Sequence, residues 1–229
     1  MRRLNVIKGD ILFQWKYGFY FLYVILTIIY MMIFSFFTGG IKNTIVTICV
    51  YSDPAAMGMF FMGALILLEK SQRIINSVAV SPVTVKEYVL GKIVSIGIIS
   101  EIVGLVLMGQ GSTKNLVLCG IGILFGSVIF SLCGIIVGTK ISSLNQYIVW
   151  TIPFEIVGCL PAILYRIGLL RDNMFMLLHP GCCVMRLIEG DKDKLEVVFA
   201  SIILWIIVLF VFANKSVKRM FCQSGGAKL

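Results

Sequence analysis

The chain alternates long apolar runs with short polar breaks, and the run lengths set its architecture. Six runs are long enough to cross a bilayer, which takes roughly 17–25 residues. They are Tyr17–Phe37, about Val50–Leu68, Val89–Gly109, Leu116–Gly138, Tyr147–Tyr165 and Leu195–Ala213. Hydrocarbon offers the backbone no hydrogen-bond partner, so each run predicts a helix. Ahead of them, Leu4, Ile7, Ile11 and Trp15 recur at spacings of three and four among Arg2, Arg3, Lys8 and Lys16. That pattern predicts an amphipathic interfacial helix over 1–16. The expected fold is therefore an all-α integral membrane domain over 1–229 with six transmembrane helices.

Two polar breaks stand out. In Glu69–Lys92, whose residues 69–88 read as a cytoplasmic segment, Glu69–Val80 predicts a short helix with Ile74, Ile75 and Val78 on one side and Lys70, Arg73 and Ser77 toward another. Ser81-Pro82 ends that helix. Thr84 and Glu87 then have the spacing of a capping box that starts the next one. In Arg166–Lys194 an apolar core is interrupted by His179-Pro180-Gly181, which predicts a re-entrant or interfacial element between the fifth and sixth spans.

Composition agrees with this reading. Of 229 residues, 59% are hydrophobic and only 14% charged, and the mean hydropathy is +1.00; soluble domains carry about 25% charged residues. The helices and their connections use up the chain, leaving no sizeable soluble domain. The first span starts too late and runs too long for a cleaved signal peptide. A net charge of +9 raises the possibility of nucleic acid, but its placement argues against that partner. With both termini in the cytoplasm, thirteen of the 20 lysines and arginines fall on the inner side, as the positive-inside rule requires. The seven cysteines are scattered and suggest no disulfide framework.

Ionisable residues inside the spans are the candidates for function, because each is costly to bury in lipid. Glu101 lies in the third span between Gly97 and Gly104, small neighbours that suggest a close helix contact. Glu155 lies between Pro153 and Pro161 in the fifth. Asp53, next to Pro54, reads either as an intramembrane carboxylate or as the cap of the second span; its distance from Glu69 favours the cap. Substrate-pathway and packing roles stay open for all three. Small residues recur along the fourth span, from Gly122 and Gly126 through Ser127 and Ser131 to Gly134 and Gly138, permitting close packing within the subunit or across a dimer. His179 and Cys182 are too few to hold a metal. No phosphate loop, zinc-protease motif or nucleophile elbow is present, so no catalytic residues are assigned.

The residues Glu69-Lys70, Ser81-Pro82, Glu87-Tyr88 and Gly91-Lys92 resemble the segment after the second span in ABC-2-type transporter permeases. Asp53-Pro54, the Asp10–Tyr20 stretch and His179-Pro180 are similar to small six-span exporter subunits of that group, which move drugs or peptides such as phenol-soluble modulins. The resemblance covers nearly the whole chain. It implies a permease in a bacterial plasma membrane that pairs with a second permease copy, identical or paralogous, and with two ATP-binding cassette subunits. Those partners would bind ATP and Mg, and this chain no cofactor. The coupling contacts would be Glu69, Lys70, Arg73, Ile74, Ile75, Val78, Ser81 and Pro82. A hydrophobic or amphipathic cargo is expected, an amphipathic cytolytic or antimicrobial peptide first and a small-molecule drug second. The alternative from the residues alone is a proton-coupled transporter or channel using Glu101 and Glu155.

Overall fold

A computed structural model describes residues 2–170 and 173–223, without the side chains of Arg2, Arg3 and 54–57. Every regular element among the described residues is helical. They run α1 (Arg2–Lys16), α2 (Phe19–Ser35), α3 (Gly39–Val50), a π-helical turn (Tyr51–Ala56), α4 (Met57–Ser71), α5 (Ile74–Ala79), α6 (Val85–Met108), α7 (Leu116–Gly138), α8 (Leu144–Arg166), α9 (Met174–Leu178), α10 (Pro180–Glu189) and α11 (Leu195–Gln223).

Five continuous helices are long and apolar enough to cross a membrane, and a sixth crossing follows if α1 and α2 count as one bent span. The bend is 65°. It falls at Gly18, whose φ of 75° suits a residue without a Cβ. The largest departure from the sequence reading concerns the second span. It begins at Gly39 rather than near Val50, and α3, the π turn and α4 form one 33-residue helix. At 1.5 Å per residue this is about 50 Å of helix, well beyond the roughly 30 Å of hydrocarbon.

Local signals fix most of the other boundaries. Ser81-Pro82 ends the α5 segment, with Ser81 Oγ donating to Val78 O at 2.7 Å. The capping box starts α6 as expected: Thr84 Oγ1 accepts from Glu87 N at 3.3 Å and Glu87 Oε2 accepts from Thr84 N at 2.9 Å. Asn115 caps α7 and Ser143 caps α8 through their side chains.

α7 is the packing axis, and its small residues work within the subunit. A Cβ on Gly134 would lie 2.6 Å from Met59 O of α4, and one on Gly122 would lie 2.9 Å from Ile188 N of α10. Ser127 Oγ donates to Ser100 Oγ of α6 at 3.1 Å. Around this axis the apolar core has two parts. One gathers Ile75, Ala79, Tyr88, Val217 and Phe221 at the end carrying α1, α5 and the last turns of α11. The other gathers Tyr51, Cys119, Ile123, Cys182 and Leu187 toward the opposite end, where α9 and α10 sit. Outward faces of α2, α8 and α11 stay apolar, with Phe21, Trp150 and Leu204 exposed.

Candidate functional site

At the end carrying α1 the chain assembles a buried ionic cluster. Lys92 on α6 is 0% exposed. Its Nζ donates to Asp10 Oδ1 of α1 at 2.6 Å and to Glu69 Oε1 of α4. Tyr88, one turn earlier on α6, donates its hydroxyl to the other Glu69 oxygen at 2.6 Å. Beside them Gln14 Nε2 donates to Ser95 Oγ at 2.8 Å. Gly91 makes this approach possible, since a Cβ there would sit 2.7 Å from Val6 Cγ1. Three helices distant in sequence are thus tied by one ammonium.

The cluster also explains the unusual face of α1. Asp10 and Gln14 point into the bundle, while Leu4 is 62% and Trp15 72% exposed. The outward side of the helix carries Leu4, Leu12 and Trp15 together with Lys8 and Lys16, while Val6, Asp10, Phe13 and Gln14 turn to protein. Spacing alone located the two faces but not which of them meets protein.

Of the charged residues expected to couple this chain to a partner, Glu69 and Lys70 are engaged internally. Glu69 is buried in the cluster. Lys70 caps the last turn of α7, donating to Gly138 O at 2.9 Å, Thr139 O at 2.8 Å and Ile141 O at 2.8 Å. The continuous helix expected from Glu69 to Val80 is instead broken: α4 runs to Ser71, and Arg73, with a φ of 58°, turns the chain into α5. Ile75 and Ala79 anchor α5 to the core, Ile74 and Val78 are half-buried, and Arg73, Asn76, Ser77 and Val80 are exposed. Ser81 and Pro82 open a groove of about 650 Å³ that continues to Lys86 on α6 and to Lys215 and Lys218 on α11.

The intramembrane carboxylates separate into two settings. Asp53 is not a cap: fourteen helical residues precede it from Gly39, about 21 Å of helix. It sits in the π turn and shares a cavity of about 490 Å³ with Glu155 of α8, together with Leu22, Phe60, Phe61 and Cys159. Glu101 lies elsewhere. Its Oε1 is 2.7 Å from where a Cβ on Gly120 would be, and its Oε2 is buried with no hydrogen-bond partner. Gly104 packs on Ile123, whereas nothing approaches within 4 Å of a Cβ on Gly97. The expected glycine contact therefore exists on one side of Glu101 only.

His179 is a helix cap. Its Nδ1 accepts from Cys182 N at 3.3 Å and its Nε2 lies 2.9 Å from Val157 O of α8. With Pro180 in the first turn of α10, this is a sound N-terminus. The arrangement requires a neutral imidazole with the proton on Nε2, and burial pushes its pKa below the ordinary value. Gly181 follows where a Cβ would collide with Gly158 O and, at 2.5 Å, with Tyr51 Oη. The start of α10 therefore reaches the middle of α8, and Gly181 through Ile188 are buried. Arg171 and Asp172, in the same expected segment, lie outside the described residues.

The sequence reading missed the partnership of Lys92 and Asp10 with Glu69. The signal was present, because Lys92 stands among apolar residues as Glu101 does, and the same burial argument applies to it. Placing the start of the span at Val89 left Lys92 looking like a boundary charge. The chain matches no protein-family model and no curated protein.

Proposed function

We propose that this chain is the permease subunit of an ATP-driven exporter of the ABC-2 type. It would work as a homomeric or paralogous pair with two separate ATP-binding subunits that hold ATP and Mg. What supports the reading is the mounting of α5. This short helix projects Asn76, Ser77 and Val80 from the end of the bundle while Ile75 and Ala79 seat it on the core. The helices on either side of it, α4 and α6, are locked together by Glu69, Tyr88 and Lys92. A push on α5 would reach both helices as one body, which suits a coupling helix. The basic groove from Pro82 to Lys218 would seat the rim of the partner.

On this reading both termini and α5 are cytoplasmic, α1 lies in the inner interface with Leu4 and Trp15 in lipid, and α9–α10 form a re-entrant pair from the outer side. The cargo is hydrophobic or amphipathic, with amphipathic peptides ahead of drugs. Glu69 and Lys70 serve the lever from inside rather than touching the ATPase; Arg73 and the exposed face of α5 make that contact.

The test is a purification from native membranes in mild detergent. An ATP-hydrolysing subunit should co-purify, and a Ser77→Cys variant should cross-link to it. Asn76→Pro should leave the complex assembled but remove stimulation of ATP hydrolysis by cargo. A chain that purifies without any ATPase, and transports in ATP-depleted vesicles, would overturn the proposal.

A further inference from the structure

Three carboxylates of this bundle have a cation beside them and the two that share the Asp53–Glu155 cavity do not; Glu101 also has a buried oxygen without a partner, but it packs singly against Gly120. Asp10 and Glu69 have Lys92 between them, and Glu189 has Arg166 at 2.8 Å. Asp53 and Glu155 come from elements about a hundred residues apart and line one space of about 490 Å³, a volume in the range of small-molecule pockets. Among the described residues no Lys, Arg or His lines it, and neither acid has an ion pair. The other walls are Leu22, Phe60, Phe61, Ser52 and Cys159. Leu22 and Phe60 are also exposed on the apolar perimeter, so the cavity opens sideways, away from the polar ends of the bundle.

We propose that this cavity binds an organic cation with an apolar body, taken up laterally from the lipid. A carboxylate in a low-dielectric site is stabilised by an opposite charge at close range. This chain supplies that charge to Asp10, Glu69 and Glu189 and omits it at the two acids that line this cavity. Phe60 and Phe61 add aromatic surface, which attracts a cation through the ring quadrupole. The π turn contributes geometry: one extra residue in the helical ladder re-aims Asp53, and such turns recur at functional sites. As a statement about cargo, the proposal rests on the exporter reading and gives that cargo a positive charge. As a statement about binding, it concerns this chain alone.

The experiment uses the full-length chain in lipid nanodiscs with radiolabelled tetraphenylphosphonium as probe. Binding should be saturable and resist competition by neutral triphenylphosphine oxide. It should weaken about tenfold or more, equivalent to about 1.4 kcal/mol, in Glu155→Gln and in Asp53→Asn. Glu101→Gln and the charge-conserving Glu155→Asp should retain it. A second measurement needs no acid variant: the cation, and not the phosphine oxide, should slow alkylation of Cys159, read by mass spectrometry. Equal displacement by the neutral compound, unchanged affinity in both acid variants, or unprotected Cys159 would each overturn the proposal. If an ATPase co-purifies and cross-links at Ser77 but the probe does not bind, only the cation assignment fails. If the probe binds and no ATPase is found, the exporter reading fails and the binding site stands.

Discussion

Lys92 of α6 and Glu69 of α4 form a buried ion pair, and Asp10 of α1 closes on the same ammonium from the other side. The three residues tie the middle of α1 to the last turn of α4 and the early turns of α6, so the cluster decides whether α1 stays docked.

Lys92→Met should be severely destabilising, because it leaves two carboxylates buried without a counter-charge. Breaking a buried pair from one side costs about 3–5 kcal/mol. Thermal unfolding in micelles should show a large drop in Tm. The triple variant Lys92→Met, Asp10→Asn, Glu69→Gln should recover much of it, since no charge then remains unpaired. A triple variant no more stable than Lys92→Met would contradict the ionic account.

Lys70→Met should loosen the end of α7 specifically. Three carbonyls lose a charged donor, and hydrogen bonds to charged groups contribute about 1.5–3 kcal/mol each. Lys70 is only half-buried and water can replace part of this, so a total near 2 kcal/mol is expected. Hydrogen exchange should quicken around Thr139–Ile141 while amides near Glu101 keep their protection.

His179 gives the fold a pH dependence with a defined sign. Its pKa in the folded chain lies below the ordinary value of about 6.5. The stabilisation is therefore complete above about pH 6.5 and declines as pH falls from there toward the folded value, where the unfolded chain alone takes up the proton. Tm measured from pH 8 to pH 5 should fall over that window. His179→Asn keeps a cap without a titrating ring, and as His179 is the only histidine this variant should flatten the step. His179→Ala should cost about 1 kcal/mol at pH 8. A step that survives in His179→Asn would assign it to another group.

Two glycines that look alike in sequence should behave oppositely. Gly134→Ala drives a methyl to 2.6 Å from the Met59 backbone and should cost about 1–3 kcal/mol as α4 is pushed off α7. Gly97→Ala meets nothing within 4 Å and should be neutral or stabilising by up to about 1 kcal/mol, because alanine is the better helix former. Comparing the two Tm values checks it.

Much of this architecture follows from local physics that the sequence states openly. Span lengths, the Ser81-Pro82 break, the Thr84–Glu87 capping box and the small-residue stripe of α7 each depend on residues a few positions apart. Where the second span begins was hidden, because Gly39–Val50 contains Lys42, Asn43, Thr44 and Thr47 and reads as polar. Its Thr47 and Val46 are nonetheless buried, and neighbours far along the chain accept them: Asn43 Oδ1 takes the Ser112 amide at 2.7 Å.

By itself, the sequence determined that the chain is helical, that several of its helices are long and apolar enough to cross a membrane, and which side chains carry charge among them. Only the tertiary structure decided what each charge meets. Lys92, Asp10 and Glu69 lie in three different segments, and the pairing among them exists once α1 folds back on α6 over Gly91. Asp53 and Glu155 are about a hundred residues apart and share a cavity because the π turn and the middle of α8 come to the same depth. Hydrophobic burial is additive along a chain and can be read from composition and period. Electrostatic partnership depends on distance in space, and that distance is set by the whole bundle.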